Sequence, residues 1–398
     1  MTDAGGRPYR AIPGPSVTPD AVLQAMHRAA PNIYAGEVIA LTEGLVPDLR
    51  RVARTHGHLA IYISNGHGAW EAALANVAAP GDRVLVAATG RFGHGWADVA
   101  RSLGLEVELI DFGRQTPADP TRLEAALRAD TDRRIKAVLA THVDTATSVL
   151  SDMAGLRGAL DAAAHPALLM ADCIASLGCD RFEMDGWGVD ITVTGSQKGL
   201  MLPPGLGFLF FNDRAAAARA ALPRVPRYWD WAPRAEPAQF YQYFGGTAPT
   251  HHLYGLRAAL DIIHAEGIEA VWARHDRLAR AIWAACEAWG QRGALRLNVA
   301  EPAHRSRAVT ALSLDPPDGA RLRHWLEENA GVTLGIGLGM ATEDDPEGTG
   351  AFRIGHMGHV NSHMVLGVLA AMEAGMDALA IPHGTGAVEA AAASLARD

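Results

Sequence analysis

Short apolar runs alternate with amphipathic runs through the first half of the chain. The apolar runs have the length of strands, and the amphipathic runs place apolar residues at helical spacing. The predicted strands cover residues 60–64, 83–88, 106–111, 135–141, 167–172, 189–194 and 205–211. The predicted helices cover residues 69–77, a stretch that ends at 100, 120–128 and 153–164. This alternation predicts a mostly parallel sheet with helices on both faces, whose functional groups lie at the carboxyl ends of its strands.

A smaller second body is predicted beyond this region. Residues 253–289 are rich in Ala, Leu and Ile and are predicted to form one long helical connector. Beyond them, predicted strands at 308–314 and 352–354 alternate with predicted helices at 319–329 and from 362 onward. Residues 335–350 are rich in glycine, which predicts a mobile loop. The second body is therefore predicted to be an α/β domain.

The composition excludes several classes of protein. A chain of 398 residues with 49% hydrophobic and 20% charged residues can bury a large core, and its length suggests two or three domains. The net charge is −9 and no basic stripe is present, so neither a nucleic acid nor a membrane surface is an expected partner. The three cysteines, Cys173, Cys179 and Cys286, are too few for a disulfide scaffold and fit a reducing compartment. Because neither a signal peptide nor an apolar run of bilayer length is visible, we expect a cytoplasmic protein.

The first chemical motif is Ser-Asn-Gly-His-Gly at residues 64–68, between a predicted strand and a predicted helix. Backbone N–H groups at a helix start attract phosphate, and glycine lets the backbone approach an anion closely. An ordinary strand-to-helix turn has the same pattern, so this motif alone leaves both interpretations open.

Two further candidates, Asp172 and Lys198, follow buried strands. A carboxylate that ends a buried strand is costly without a cationic partner, although a helix cap would also explain Asp172. Partial burial of Lys198 would lower its pKa and make it a nucleophile for carbonyl groups. Most lysines are solvated loop residues, but this chain has only one other, Lys136.

A phosphate turn, a carboxylate and a lysine are together what pyridoxal 5'-phosphate needs. The lysine bonds to the aldehyde of the cofactor, the acid keeps the pyridine nitrogen protonated, and the helix start holds the phosphate.

The sequence resembles the class V aminotransferases of fold type I, in particular the alanine/serine/aspartate–glyoxylate aminotransferase group. The most specific stretches are Pro-Gly-Pro at 13–15, residues 171–178, 195–198 with 203–205, and Phe-Arg-Ile-Gly-His at 352–356. The resemblance implies the fold type I architecture, with a large domain built on a mostly parallel seven-stranded sheet and a smaller C-terminal α/β domain. We expect an N-terminal arm at residues 1–15, a large cofactor domain at 16–265 and a small domain at 266–398.

Further roles are implied only by the resemblance. Lys198 matches the catalytic lysine and Asp172 the partner of the pyridine nitrogen. The other implied cofactor contacts are Gly66 and His67 in the phosphate turn, Phe92 stacked on the ring, Thr145 near the ring oxygen, Gln197 on the phosphate, and Thr247 on the phosphate of a partner subunit. Phe92 could instead be a packing residue, Thr145 a turn hydroxyl and Arg353 a surface ion-pair residue.

The implied substrate site contains Arg353, whose forked guanidinium matches a carboxylate, and Gly14, which borders the substrate. Relatives often have Asp-His-Arg-Ser near the substrate entrance, where this chain has Asn32 to Glu37. We therefore expect Tyr34 and Glu37 to alter the choice of donor, although Glu37 is equally explained as a solvated residue at a helix start.

The chain differs from its relatives at a second place, in a residue that contacts the cofactor of the partner subunit. Relatives commonly place a tyrosine, which contacts the phosphate from the partner subunit, where this chain has Phe244. The neighbouring Tyr243 is the candidate to replace it.

These observations predict an aminotransferase that moves the amino group of an amino acid to a small 2-oxo acid such as glyoxylate or pyruvate, working as a homodimer with shared active sites. The alternative is a lyase that acts at the β-carbon on the same fold with the same cofactor. A metal hydrolase is disfavoured because the 17 histidines show no His-Glu-x-x-His spacing, and no metal ligand is predicted. A scaffold without activity is disfavoured by the joint presence of Lys198, Asp172 and Arg353.

Overall fold

A computed structural model describes residues 5–397. Residues 1–4 of the predicted arm and residue 398 of the predicted small domain lie outside the described residues. The rest of the arm forms strand β1 (Tyr9–Ala11), which pairs in parallel with a strand from the C-terminal part of the chain, Val332–Ile336. Strand β1 therefore joins the same sheet as strands that lie more than 300 residues further along the chain.

The larger sheet has seven strands, as predicted. They are β2 (His58–Ser64), β3 (Arg83–Ala88), β4 (Glu106–Asp111), β5 (Ile135–Thr141), β6 (Leu168–Asp172), β7 (Ile191–Gly195) and β8 (Gly205–Phe211). Their order across the sheet is β2-β8-β7-β6-β5-β3-β4. Strands β3 to β7 pair in parallel, and β8 is antiparallel to both of its neighbours. The carboxyl ends of β5, β6 and β7 consequently lie side by side, with Asp172 paired to Thr141 and Val193.

Helices cover both faces of this sheet. They are α1 (Asp20–Met26), α2 (Glu37–Ala53), α3 (Gly66–Ala75), α4 (Arg91–Ser102), α5 (Pro120–Ala129), α6 (Met153–Ala162), α7 (Asp213–Ala221), α8 (Ala232–Ala235) and α9 (Thr250–Glu266). In β6, Leu168 and Met170 join the apolar cluster around α3 and α4, and the intervening Leu169 joins the cluster on the opposite face. Because both faces are covered, the inner strands such as β3, β6 and β8 are nearly continuous apolar runs, whereas the edge strand β4 alternates charged and apolar residues.

The smaller sheet has five strands in the order β1-β11-β12-β10-β9. Its other strands are β9 (Arg296–Leu297), β10 (Val309–Ser313), β11 (Val332–Ile336) and β12 (Ala351–Gly355), and the helices of this part are α10 (Ile268–Gly290), α11 (Asp318–Trp325), α12 (Ser362–Ala378) and α13 (Ala387–Ala396). A separate apolar cluster packs α10, α12 and α13 against this sheet. The class predicted from the sequence, two α/β bodies with a mostly parallel larger sheet, is confirmed.

Two predicted elements have to be corrected. The predicted single helix over 253–289 is two helices, α9 and α10, because the chain breaks at Gly267 with a φ of +86°. The predicted loop over 335–350 begins too early, since Gly335 and Ile336 are the last residues of β11. Among residues 5–397, no helix is long and apolar enough to cross a membrane.

Candidate active site

Lys198 lies just after β7 and is buried beneath the N-terminal arm, with 8% of its surface exposed. Its Nζ donates a hydrogen bond to the carbonyl oxygen of Pro13. Burial, and then the charge of Arg353, lowers the pKa of Lys198 to about 8, while the charge of Asp172 opposes this shift. A far larger fraction of this amine is therefore neutral near pH 7 than in a solvated lysine.

Gly14 covers Lys198. A Cβ atom at this position would lie 2.5 and 2.7 Å from Lys198 Cε and Cδ, and its φ of +106° is one that residues with a Cβ rarely adopt. Only glycine therefore lets the arm approach the lysine this closely.

Asp172 ends β6 and is 3% exposed. Its Oδ1 accepts a hydrogen bond of 2.8 Å from the N–H of Ile174. Burial raises the pKa of Asp172 to about 7, and the neighbouring charge of Asp144 adds to this, whereas Ile174, Trp70 and Lys198 favour the ionised form. A cationic group placed beside this carboxyl would bring its pKa down again.

Arg353 lies on β12 and is held by two backbone carbonyl groups. Its Nε donates to Ile336 O and its Nη1 to Thr145 O, both at 2.8 Å. Burial lowers the pKa of Arg353 to about 10, and the charge of Asp144 opposes the shift. No hydrogen bond from Nη2 occurs within residues 5–397, so this edge of the guanidinium is available to a ligand.

The predicted phosphate turn lies at the start of α3, but its N–H groups are not all free. The side chain of Asn65 caps the helix and accepts hydrogen bonds from the N–H groups of His67, at 3.1 Å, and Gly68, at 3.3 Å. Gly66 is buried, and a Cβ atom there would lie 3.0 Å from Ile174 Cγ1. The turn therefore lies directly against the segment that follows Asp172.

Phe92 is close to this turn. Its ring centroid is 6.5 Å from that of His67 and 6.3 Å from that of Trp70. The N–H groups of Phe92 and Gly93, at the start of α4, donate to Asp144 Oδ2 at 2.8 and 3.2 Å. His67, Trp70 and Phe92 line one cavity of about 410 Å³.

Asp144 is a residue that sequence reasoning missed. It is fully buried, fixes the start of α4, and acts electrostatically on both Asp172 and Arg353. The available signal was a carboxylate three residues after β5, at the same sheet edge as Asp172. The carbonyl contacts of Pro13 and Ile336 carry no sequence signal, because every residue has a carbonyl group.

Gln197 precedes Lys198 and keeps a polar atom unsatisfied. Its Oε1 is buried without a hydrogen-bond partner in the part of the chain that the structure describes. Its carbonyl accepts the N–H of Ser16 at 2.9 Å, and the hydroxyl of Ser16 donates to Lys198 O at 2.7 Å. Ser16, which directly follows the N-terminal arm, thus fixes both residues, and a buried unpaired side-chain atom beside Lys198 is typical of a ligand site.

Two predicted site residues lie apart from this set. Thr247 is exposed in the segment before α9, and Tyr34, which is 88% exposed, precedes α2. Phe244 is fully buried against Phe240, so it presents nothing to a phosphate, and the half-buried Tyr243 lies beside it.

Glu37 already has partners. It accepts hydrogen bonds from Arg28 Nη2, at 2.9 Å, and from the hydroxyl of Tyr254, at 2.8 Å. These contacts favour the interpretation of Glu37 as an acid at a helix start over a role in donor choice.

Comparison with known proteins decides the family. The model of "Aminotransferase class-V" matches residues 13–357. The chain belongs to the class V aminotransferases.

Named members of this family resemble the whole chain. It is 37% identical to a serine–glyoxylate aminotransferase of Methylorubrum extorquens, over 99% of this chain and 97% of the relative. It is 39% identical to an L-aspartate–glyoxylate aminotransferase of Paracoccus denitrificans, over 96% of this chain and 94% of the relative. Its structure is similar to that of a pyridoxamine–pyruvate aminotransferase from Mesorhizobium loti, with a TM-score of 0.88, 27% identity, and coverage of 99% of this chain and 98% of the other.

The predicted family and enzyme class are therefore confirmed: the protein is an aminotransferase. This class implies pyridoxal 5'-phosphate, and the chain has side chains that fit it. These side chains are a lysine amine with a lowered pKa, a buried carboxyl at a strand end that interacts electrostatically with it, and the unpaired Oε1 of Gln197, the residue before the lysine. No group of three or more His, Cys, Asp or Glu side chains that could hold a metal ion occurs among residues 5–397.

Proposed function

We propose that this aminotransferase moves the amino group of an amino acid to a small 2-oxo acid, with glyoxylate as the first candidate acceptor, and that it works as a cytoplasmic homodimer. The observation that carries the proposal is the contact between Gly14 and Lys198, with Arg353 close enough to affect the pKa of the lysine. The names of the two aminotransferases that are 37% and 39% identical support glyoxylate.

The proposed cofactor site is built from both helix starts and strand ends. Lys198 would bond to the cofactor aldehyde and Asp172 would face the pyridine nitrogen. Phe92 would cover the ring and Thr145 would lie near the ring oxygen. Gly66, His67 and Gln197 would hold the phosphate, together with Thr247 of a second subunit, and phosphate binding would compete with Asn65 for the N–H groups of α3. The bound cofactor supplies an electron-accepting ring that makes the Cα proton of the amino acid removable.

Lys198 is the group proposed to move that proton. An amine with a pKa of about 8 is close to the working pH, so it can both accept a proton from Cα and return it. Burial under the arm keeps water away from Nζ, and Pro13 O holds the amine in position.

Arg353 is proposed to bind the α-carboxylate of the substrate. Its Nε and Nη1 are already fixed by Ile336 O and Thr145 O, so the guanidinium plane is set before the substrate arrives. A fixed fork orients the carboxylate and with it the Cα–H bond toward the lysine. The other proposed substrate contacts are Gly14 and, near the entrance, Tyr34.

A donor and acceptor screen tests this function. The purified protein is loaded with pyridoxal 5'-phosphate and mixed with each amino acid, and the formation of pyridoxamine phosphate is followed by absorbance. We expect conversion by serine, alanine or aspartate, and oxo-acid formation in steady state only when glyoxylate or pyruvate is added. Turnover that does not need an acceptor would contradict the aminotransferase and favour the lyase.

Lys198→Ala should abolish the half-reaction, lowering its rate by at least about a thousandfold, because no other positioned base replaces the amine. The matched control is Lys136→Ala, which removes the only other lysine, an exposed residue of β5. Equal activity of the two variants would overturn the assignment of Lys198.

A further inference from the structure

Trp70 is a fully buried tryptophan beside the cofactor end of the sheet. It lies on α3, one turn after His67, and its ring centroid is 4.7 Å from that of His67. Its ring also stacks on that of Trp96 of α4, with a centroid distance of 5.8 Å and an interplanar angle of 16°. Three aromatic rings, from His67, Phe92 and Trp96, thus fix the indole in place.

The indole N–H of Trp70 is unsatisfied. Its Nε1 is buried without a hydrogen-bond partner among the described residues. A buried N–H without an acceptor costs stability, and most buried donors in folded proteins are paired. We therefore expect an acceptor close to this buried N–H group.

The strand register places Asp172 on the same face of the sheet as this donor. Met170 of β6 and Val193 of β7 belong to the same apolar cluster as Trp70. Asp172 follows Met170 by two positions and pairs in register with Val193, so its side chain leaves the sheet on the face that Trp70 covers. Consistent with this, the Trp70 side chain lowers the pKa of Asp172, against the larger effect of burial.

We propose that Trp70 is a positioning residue, whose indole N–H donates a hydrogen bond to Asp172 and holds this carboxylate ionised and oriented for the ring nitrogen of the cofactor. The inference rests on the proposed function, because it needs Asp172 as the partner of that nitrogen. One Asp172 oxygen is held by the N–H of Ile174. The indole N–H holds the carboxylate from the side of α3. The carboxylate therefore keeps its orientation when the cofactor leaves.

This role has a specific consequence for pH. An ionised Asp172 attracts a protonated pyridine nitrogen, and a protonated Asp172 does not. Loss of the indole N–H raises the pKa of Asp172, so the variant binds the cofactor poorly near pH 7 and regains affinity at higher pH.

The test compares Trp70→Phe with Trp96→Phe. Both residues are fully buried, both have an unpaired indole N–H among the described residues, and the two rings stack on each other. The two variants therefore lose the same atoms from one cluster, but only the first loses a donor beside Asp172. The dissociation constant of pyridoxal 5'-phosphate is measured by equilibrium dialysis between pH 6 and pH 9.

We expect Trp70→Phe to weaken cofactor binding at pH 7 at least about tenfold more than Trp96→Phe, as loss of a hydrogen bond to a charged group should. The excess loss should shrink as the pH rises. Equal dissociation constants for the two variants, or an excess loss that is constant with pH, would overturn the proposal, since a constant loss is the result of packing alone.

A measurement on the unaltered protein covers the case in which Trp70→Phe does not fold. Among the nine tryptophans, the indole ¹⁵N–¹H resonance of Trp70 in the cofactor-free protein should shift with pH as Asp172 titrates, and that of Trp96 should not. An invariant Trp70 resonance contradicts the proposal.

Asp172→Asn separates this inference from the proposed function. If Asp172→Asn retains normal cofactor affinity, the assigned role of Asp172 is wrong. If it loses affinity while Trp70→Phe behaves like Trp96→Phe, only the role of Trp70 is wrong.

Discussion

Lys198, Asp172 and Arg353 are ionisable groups whose pKa values are displaced mainly by burial. Each is less easily charged than in water, and the folded chain therefore holds them at a cost in stability. Part of that cost is recovered when a ligand of opposite charge binds. These residues thus lower the stability of the cofactor-free protein, and under the proposed function they would contribute to affinity and catalysis.

Lys198→Met should stabilise the cofactor-free protein. The pKa of Lys198 is about 8 in the folded chain and 10.5 in the unfolded chain, so the unfolded state binds the extra proton between these values. Below pH 8 the substitution should raise the free energy of unfolding by about 2 kcal/mol, somewhat less than the pKa difference alone gives because Pro13 O loses its donor. The gain should fade as the pH rises toward 10.5.

Urea unfolding at pH 7 and at pH 10 measures this effect, with Lys136→Met as the control at an exposed site. A loss of stability in Lys198→Met at pH 7 would contradict the prediction, because it would show that the hydrogen bond of Lys198 stabilises the protein more than the burial of its charge destabilises it.

At the scale of elements, the inner strands of the larger sheet were predictable because burial on both faces makes them nearly continuous apolar runs, and the edge strand β4 was predictable from its alternation of charged and apolar residues. The bounds predicted for β3, β4, β5 and β8 match the observed strands. The break at Gly267 was not predicted, because a single glycine inside a long helical pattern does not reveal its positive φ. Strand β11 was missed because it is short and ends within the glycine-rich segment.

The site was predictable in part for a related reason. Lys198 and Asp172 stand out as charged residues at the ends of apolar strands, and the resemblance to a family assigned their roles. What could not be predicted is how the arm covers Lys198, because that contact depends on the backbone of Pro13 and Gly14 and on a strand pairing with β11.

Gly14→Ala tests the contact between the arm and the lysine. The added Cβ would overlap the Lys198 side chain and the residue would keep a strained φ of +106°, so we expect kcat to fall at least about tenfold and stability to fall by about 1–3 kcal/mol. The control is Gly6→Ala in the same arm, where an added Cβ would meet nothing within 4 Å. Kinetics and thermal unfolding of both variants provide the measurement, and an active, stable Gly14→Ala protein would refute the contact.

For the molecule as a whole, the balance of buried titratable groups sets the response to acid. Burial lowers the pKa of His142, His275 and His356 to about 3, and raises that of Asp172 to about 7 and of Asp180 to about 6. As the pH falls below 6.5, these histidines bind protons in the unfolded state but remain neutral in the folded state. The free energy of unfolding therefore decreases. The buried carboxyls act in the opposite direction, because burial also raises the pKa of Asp144, but the shifts of Asp172 and Asp180 are each smaller than that of any of the three histidines.

The cofactor-free protein should therefore lose on the order of 3 kcal/mol of stability between pH 7.5 and pH 4.5. Urea unfolding across this range measures the loss. His275→Gln should reduce it, because glutamine can still accept the N–H of Gly358 without taking up a proton. A change of the exposed His363 to Gln should leave the acid dependence unaltered, and a stability that is flat or rising toward pH 4.5 would contradict the prediction.

The pairing of β1 with β11 also constrains when the enzyme can become active during its synthesis. Tyr9 is translated more than 300 residues before its partner Val332 and before the arginine of β12. Until then the arm has no sheet to join, and Lys198 lacks the cover of Gly14 and the charge of Arg353. A nascent chain can fold its larger sheet first, but the proposed site is complete only after β11 and β12 have also been made.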